Sequence, residues 1–372
     1  MTTVQTTAHR DRAEPGTAVL EARHVTKQFV VRNNPFKRGA GRVVHAVDDV
    51  SLVLYAGRIT ALVGESGSGK STFARLLAAL HPLTSGEIVF RGEKVDASGG
   101  KRFRDHVSRV QLILQDPFGS FNPVSTIART LLRAVRIHHE SASPARRKAI
   151  IEDLLAQVNL RPAAQFTQKY PHELSGGQLQ RISIARALAA DPEVFLADEP
   201  VSSLDVSIRL GVLNLLRALT MERGVALLYV THDIASARYF AEDTAVMYAG
   251  QLVEHGDSEQ VTQNAAHPYT QLLIASAPDP SRDVDSRVRD IGQPPSLINP
   301  PTGCRFHPRC PFAMSRCAEE APPRFALEHG QWARCWLYAD DAEAAAGRAQ
   351  NAELYGRGEI RQAGRPVPDG DL

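Results

Sequence analysis

The feature that most limits the folds open to this chain is GESGSGKST at residues 64–72. It continues the apolar run RITALV, dense enough to be a strand buried in a sheet. It leads into KSTFARLLAALH, a helical pattern stopped by Pro82. Strand, glycine-rich turn and helix in that order make a phosphate cradle. The glycines Gly64, Gly67 and Gly69 let the backbone take positive φ and bring N–H groups onto an anion. The helix start adds unpaired N–H groups and a positive dipole end. Ser66 belongs to the loop, Lys70 is expected to reach the β- and γ-phosphates, and Ser71, followed by Thr72, to set its hydroxyl on Mg²⁺. The expected ligand is the phosphate chain of a nucleotide with Mg²⁺.

The rest of the chain supplies a sheet to carry that cradle. GEIVFRG, VQLILQ, VFLADE, ALLYVTH and TAVMYAG read as strands, with helical segments between them. Such alternation predicts an α/β fold with a mostly parallel sheet flanked by helices. Ligands gather at the carboxyl ends of such strands. Gln115 ends VQLILQ, Asp198 and Glu199 end VFLADE, and His232 ends ALLYVTH. Asp198 is the expected Mg²⁺ ligand, with Ser71 and Gln115. Glu199 is placed to polarise the attacking water, and His232 to contact it or the γ-phosphate. Between about 120 and 190 the period turns helical, predicting an all-helical insertion. Its last helix opens on LSGGQ at 174–178, a second Gly-Gly helix start suited to phosphate.

Composition removes several alternatives. Net charge is 43 − 41 = +2, which gives no case for a nucleic-acid surface. No apolar run approaches the ~18 residues of a membrane span. MTTVQTTAHRDRAEPGT lacks the apolar core of a signal peptide, so the chain is expected in the cytoplasm, with any membrane role exercised through partners. Residues 1–18 read as a disordered tail and 338–372, rich in Ala, Gly and charge, as a flexible one. Prolines crowd the segment after 265 and argue against long helices there. Cys304, Cys310, Cys317 and Cys335 fall within 32 residues, with gaps of five, six and seventeen. Two readings stay open: a four-thiolate metal site, iron–sulfur ahead of zinc, or a small apolar cluster of reduced thiols.

In order, GESGSGKS, Gln115, LSGGQ, VFLADE, SSLD at 202–205 and His232 resemble the motif set of an ATP-binding cassette (ABC) ATPase, over about residues 19–335. The resemblance implies a P-loop NTPase cassette at 19–265. It would have a parallel-sheet core, an antiparallel β subdomain and a helical subdomain at about 120–190. A small Pro/Cys-rich C-terminal extension would follow at 266–337. It implies that Phe29 stacks on adenine. It also implies that two cassettes close head-to-tail on two ATP molecules. Ser175, Gly176, Gly177 and Gln178 would then meet the partner's nucleotide, with Asp205 at the seam and Gln115 coupling the site to a membrane subunit.

QDPFGSFNP at 115–123, YPHELSGGQ, DEPVSSLDVSI at 198–208 and HPYTQLLIASAP at 267–278 resemble the peptide/oligopeptide (dipeptide/nickel) importer ATPases. Their C-terminal extension carries HPY and a cysteine segment like GCRFHPRCPFAMSRC, and some members hold a 4Fe–4S cluster. The insert at 32–42 resembles one of two ATPases that such importers pair. That implies a heterodimer with a sister ATPase, a homodimer being the alternative. Two permease subunits, indirectly an extracytoplasmic solute-binding protein, and a peripheral place on the cytoplasmic face of the membrane are implied too. The cargo would be peptides, with oligosaccharides or nickel complexes as alternatives. Rival readings are a soluble ABC ATPase, disfavoured by a single cassette without a coiled coil between Lys70 and Ser175, and a non-catalytic regulator, disfavoured by Glu199 and His232.

Overall fold

The computed structural model describes residues 13–31, 41–95, 99–276, 292–354 and 364–367. The chain divides into two compact units. The first comprises Met1–Glu21, Val53–Ile59 and Phe90–Leu228; the second comprises Ala22–Leu52, Thr60–Val89 and Tyr229–Leu372. Along the chain the strands are β1 (Ala18–Val31), β2 (Arg42–Tyr55), β3 (Ile59–Val63), β4 (Ser85–Phe90), β5 (Glu93–Lys94), β6 (Val110–Ile113) and β7 (Val194–Asp198). They continue as β8 (Ala226–Thr231), β9 (Asp243–Tyr248), β10 (Gln251–Asp257), β11 (Arg324–Ala326), β12 (Trp332–Ala333) and β13 (Arg365–Val367). Among the described residues no helix is long and apolar enough to cross a membrane.

In the first unit β6 and β7 pair in parallel, Val110 opposite Val194 and Ile113 opposite Ala197. β7 is buried along its whole length, which is why its sequence is apolar up to Asp198. The helices Ile127–His138, Pro144–Gln157 and Gly176–Leu188 follow the helical period of the sequence. Thr126 and Ser143 cap the first two by accepting from the N–H groups of Arg129 and Arg146, and Pro144 takes the first helical position. Ile127, Leu131 and Val135 recur every four residues and are buried, the stripe that packs this helix on its neighbour.

In the second unit the strand order is β13-β11-β12-β10-β9-β3, with the C-terminal end of β8 beside β3. β3 and β9 run parallel. β10 turns back antiparallel on β9, with a bulge between Leu252 and Glu254. β12 then pairs antiparallel with β10 and with β11. The proline-rich C-terminal region is therefore an extension of the same sheet by short strands. A separate four-stranded sheet has the order β2-β1-β4-β5.

The segment expected to be a flexible tail behaves otherwise where it is described. Ala342–Leu354 is a helix with Ala344 fully buried. Asp341 accepts the Ala344 N–H at 2.9 Å, and Asn351 exchanges hydrogen bonds with Gln271 at 2.7 and 3.1 Å. β13 pairs with β11. Alanine-rich composition reads as featureless, yet alanine is the best helix former once a cap and a docking surface exist. Most of the 32–42 insert and of the N-terminal tail lies outside the described residues.

Candidate functional site

The phosphate loop lies in the second unit, directly after β3. Two of its glycines are dictated by space. A Cβ on Gly64 would sit 2.1 Å from the Met247 carbonyl oxygen, and one on Gly69 would sit 2.2 Å from that of Ala46. Gly69 also has φ of +107°, and it precedes helix Lys70–Leu77 without any side-chain cap. The first-turn N–H groups of that helix therefore face no capping side chain of Gly69. Ser66 and Gly67 are exposed. Lys70 is 4% exposed, and its Nζ donates to the carbonyls of Gly64 at 2.7 Å and Glu65 at 2.8 Å. The ammonium thus folds back over its own loop, poised where phosphate oxygens would compete for it. Ser71 and Thr72 stand in the first turn of the helix. His232 follows β8 and is exposed; the next residue, Asp233, caps helix Ile234–Phe240. Phe29 is half-buried on β1. His81 meets it edge-on at 5.7 Å, and Lys27 Nζ lies 4.9 Å from its ring centre.

The first unit carries the other motifs. Asp198 closes β7 and is 2% exposed. Glu199 follows with φ of +46°, a left-handed conformation unusual for a non-glycine residue and typical of functional turns. Its Oε2 accepts from Gln115 Nε2 at 2.9 Å. Gln115 also reaches Ser202 Oγ at 3.4 Å, and that hydroxyl donates to the Glu199 carbonyl at 3.2 Å. Gln115 and Glu199, expected at two separate strand ends, therefore meet, and Ser202, the first residue of SSLD, contacts both.

LSGGQ opens helix Gly176–Leu188. Ser175 Oγ accepts from the Gln178 N–H at 3.3 Å, and Gln178 Oε1 accepts from the Ser175 N–H at 3.1 Å. This reciprocal cap is the S-x-x-Q capping box, a signal legible in the sequence. A Cβ on Gly177 would lie 2.3 Å from Ile208 Cγ2, and one on Gly176 would lie 3.2 Å from Leu204 Cδ2. The glycine pair thus lets this helix start lie against helix Val206–Arg223, whose N-cap is the exposed Asp205. Farther along, Arg186 donates to the Ser120 carbonyl at 2.9 Å and covers the Phe121 ring at 4.7 Å. That contact ties the LSGGQ helix to the segment leaving Gln115. Burial lowers the Arg186 pKa.

Mg²⁺ takes hard oxygen donors, and the Ser71 hydroxyl and Asp198 carboxylate have that chemistry. The four cysteines fit a metal less well. Each thiol feels the charge of at least one other cysteine or is itself felt by one, so the fold does gather them. Yet among the described residues no group of three His, Cys, Asp or Glu side chains is arranged to hold a metal ion. A four-thiolate metal site, one of the two readings of the cysteine segment, therefore has no support among the described residues, where the thiols pack against apolar side chains. Cys304 packs on Tyr248, Tyr269 and Phe306, Cys335 joins Phe312, Phe325 and Leu337, and Cys310 touches both clusters. Burial pushes the Cys304 thiol up to about 11 and Cys310 to about 12, and raises Cys317 and Cys335 as well.

Four further residues, all inside segments already quoted, were given no role of their own from the sequence. The Glu65 N–H donates to Tyr269 Oη at 2.8 Å, and the Glu65 carboxylate receives both guanidinium nitrogens of Arg309 at 3.0 Å. Next to Tyr269, His267 is buried; its Nδ1 accepts from the Tyr269 N–H at 3.0 Å, and burial lowers its pKa to about 3.

Comparison with known proteins adds the following. The ABC transporter family pattern matches residues 47–202, and that of the oligopeptide/dipeptide transporter C-terminal region matches residues 253–317. A probable peptide ABC transporter ATP-binding protein of Sinorhizobium fredii, y4tS, is 41% identical, covering 88% of this chain and 92% of its own length. The oligopeptide transport ATP-binding protein AppF of Bacillus subtilis is 40% identical over 86% of this chain and 98% of its own. The di/tripeptide transport ATP-binding protein DppF of Pseudomonas aeruginosa is 39% identical over 84% and 96%. Among solved structures, the dimeric post-hydrolysis state of the ATP-binding cassette MJ0796, bound to ADP and Pi, superposes with a TM-score of 0.56 at 27% identity. It covers 64% of this chain and 98% of that one.

Proposed function

Since the chain belongs to the ABC transporter family of ATP-binding subunits, in the group with the oligopeptide/dipeptide transporter C-terminal region, we propose that it hydrolyses ATP to drive uptake of peptides through partner permease subunits. It is a peripheral subunit in this reading, held at the cytoplasmic face by those permeases, and its cargo is recognised elsewhere.

The observation that carries the reading is the presence of two phosphate-type helix starts in one chain. One follows Gly69 and is completed by Lys70; the other follows Ser175 and has no lysine of its own beside it. The second is half of a site and calls for another cassette. Lys70 and the loop N–H groups bind the β- and γ-phosphates, Ser71 and Asp198 hold Mg²⁺, and Phe29 supports adenine. The metal neutralises charge on the phosphates when bound. Glu199 orients and polarises the attacking water. Gln115, hydrogen-bonded to Glu199 in this structure, moves with the nucleotide state and carries it toward the permease. His232 senses the γ-phosphate. Ser175, Gly176, Gly177 and Gln178 reach the nucleotide on the partner's loop, and Asp205 lies at the seam. The partner is a sister ATPase; a second copy of this chain is the alternative. An iron–sulfur or zinc centre at the cysteines forms no part of the reading, because among the described residues no group of side chains is arranged to hold a metal.

The test uses Glu199→Gln, which should trap an ATP-bound cassette dimer with little turnover, read by light scattering with and without ATP. A dimer formed by this chain alone favours the homodimer; one formed only with the sister ATPase favours the heterodimer. Hydrolysis by Glu199→Gln at the wild-type rate would remove Glu199 from its role. Ser175→Arg should abolish turnover at the partner's loop while ATP still binds at Lys70.

A further inference from the structure

The C-terminal extension grips the phosphate loop at Glu65 by backbone and side chain together. Tyr269, of the HPY sequence, accepts the Glu65 N–H, and Arg309 makes a two-pronged ion pair with the Glu65 carboxylate. Arg309 is held stiffly. Its guanidinium lies 5.7 Å from the ring centres of both Tyr248 and Phe306 and donates to Tyr248 Oη at 3.3 Å. Tyr248, Tyr269 and Phe306 pack on one another with centres 4.5 to 5.5 Å apart. The backbone under Arg309 is a tight turn closed by hydrogen bonds from His307 N to Cys304 O and from Arg309 N to Phe306 O. The same turn reaches the loop a second way. Arg305 donates to the Ala249 carbonyl, and the adjoining Gly250 N–H donates to the carbonyl of Ser68 at 2.8 Å.

Glu65 presents a problem for anion binding that this grip solves. A carboxylate within the phosphate loop repels a triphosphate, and repulsion between like charges is felt across several ångströms. Arg309 cancels that charge from outside the loop, so the backbone N–H groups meet the phosphates without it. We propose that Arg309 is a positioning and charge-neutralising residue for nucleotide binding, acting with Tyr269 through Glu65, so that the C-terminal extension sets the ATP affinity of its own cassette. The proposal rests on the phosphate loop being the ATP site of this chain.

The test is steady-state ATP hydrolysis and fluorescent-ATP binding by the full-length protein with its transport partners. Arg309→Ala should raise KM and Kd for ATP about tenfold, with kcat changed less than about twofold. Arg309→Lys keeps the charge but loses the fork, and should fall between the two. Glu65→Gln placed in the Arg309→Ala chain should return KM to within about threefold of wild type, because the bare charge is gone. The Arg309→Ala penalty should also shrink as salt rises from 0.1 to about 0.5 M, as screening of a bare charge requires. A purely structural role for Arg309 would give no rescue by Glu65→Gln and no salt dependence, and either result overturns the proposal, as does an unchanged KM in Arg309→Ala. Thermal melts of each variant separate misfolding from affinity, since the rescued double variant lacks Arg309 as well. Lys70→Ala serves as the control for the premise. If it binds ATP as well as wild type, the loop itself is misassigned, whatever Arg309 does.

Discussion

His267 makes the C-terminal region of the chain acid-sensitive in a way that can be worked out in advance. Its imidazole is buried and its Nδ1 accepts the Tyr269 N–H, while the backbone N–H of His267 donates to the buried carboxylate of Glu254. Burial lowers its pKa from 6.5 to about 3. In the folded chain the ring therefore stays neutral down to strongly acid pH, while in the unfolded chain it takes a proton below 6.5. The unfolded state binds more protons between those values, so stability is full above pH 6.5 and falls as pH drops toward 3. Each unit in that window costs about 1.4 kcal/mol, so moving from pH 7.5 to pH 5 costs about 2 kcal/mol. Out of a typical total of 5–15 kcal/mol that is a large fraction. Both tryptophans, Trp332 and Trp336, lie in the same unit, so their fluorescence reports its unfolding. With a urea slope of 1–3 kcal/mol per molar, the midpoint should fall by about 1 M between the two pH values. His267→Gln keeps an acceptor for the Tyr269 N–H but does not titrate, so it should lose about 2 kcal/mol less over the same range. Parallel loss in wild type and variant would refute a buried neutral His267 as the source.

Three other outcomes follow from contacts in the structure. With burial raising Cys304 to about 11 from the ordinary 9.0, iodoacetamide at pH 8 should alkylate it about a hundredfold more slowly than a free thiol. Rapid labelling of the native chain at Cys304 or Cys310, mapped by mass spectrometry, would contradict the buried-thiol reading. Gly177→Ala drives a Cβ into Ile208, at a cost of about 1–3 kcal/mol. It should lower ATPase activity, with Ile208→Ala in the same chain recovering it; full activity in the single variant would show that the helix pair has room to spare. Arg186→Ala removes a hydrogen bond to Ser120 and the cover over Phe121, and should lower stability by about 1–3 kcal/mol in a denaturant melt. Arg186→Lys should recover little of it, because an ammonium lacks the planar stack.

What was legible in the chain is what is local. GESGSGKST names a turn that only glycine can make, and Gly64 and Gly69 indeed abut the carbonyls of Met247 and Ala46. Gln115 and Glu199 were placed by the rule that strand ends gather ligands, and they lie in hydrogen-bond contact. LSGGQ was legible as a phosphate-type helix start, but its capping box, Ser175 against Gln178, shows how that start keeps its shape before any nucleotide arrives. Other features depend on distant parts of the chain. Arg309 meets Glu65 across 244 residues of sequence, and no spacing rule links the two. Cysteine spacing shows that four thiols are close along the chain; it does not say that Cys304 and Cys335 turn to different aromatic clusters. The density of cysteines draws attention to a metal, while the residue with the clearest link to the phosphate loop is the arginine between two of them. Its consequence is specific: the HPY and cysteine segments, which resemble an appendage when read alone, are built onto the phosphate loop, so substitutions there should alter ATP affinity before they alter anything to do with cargo.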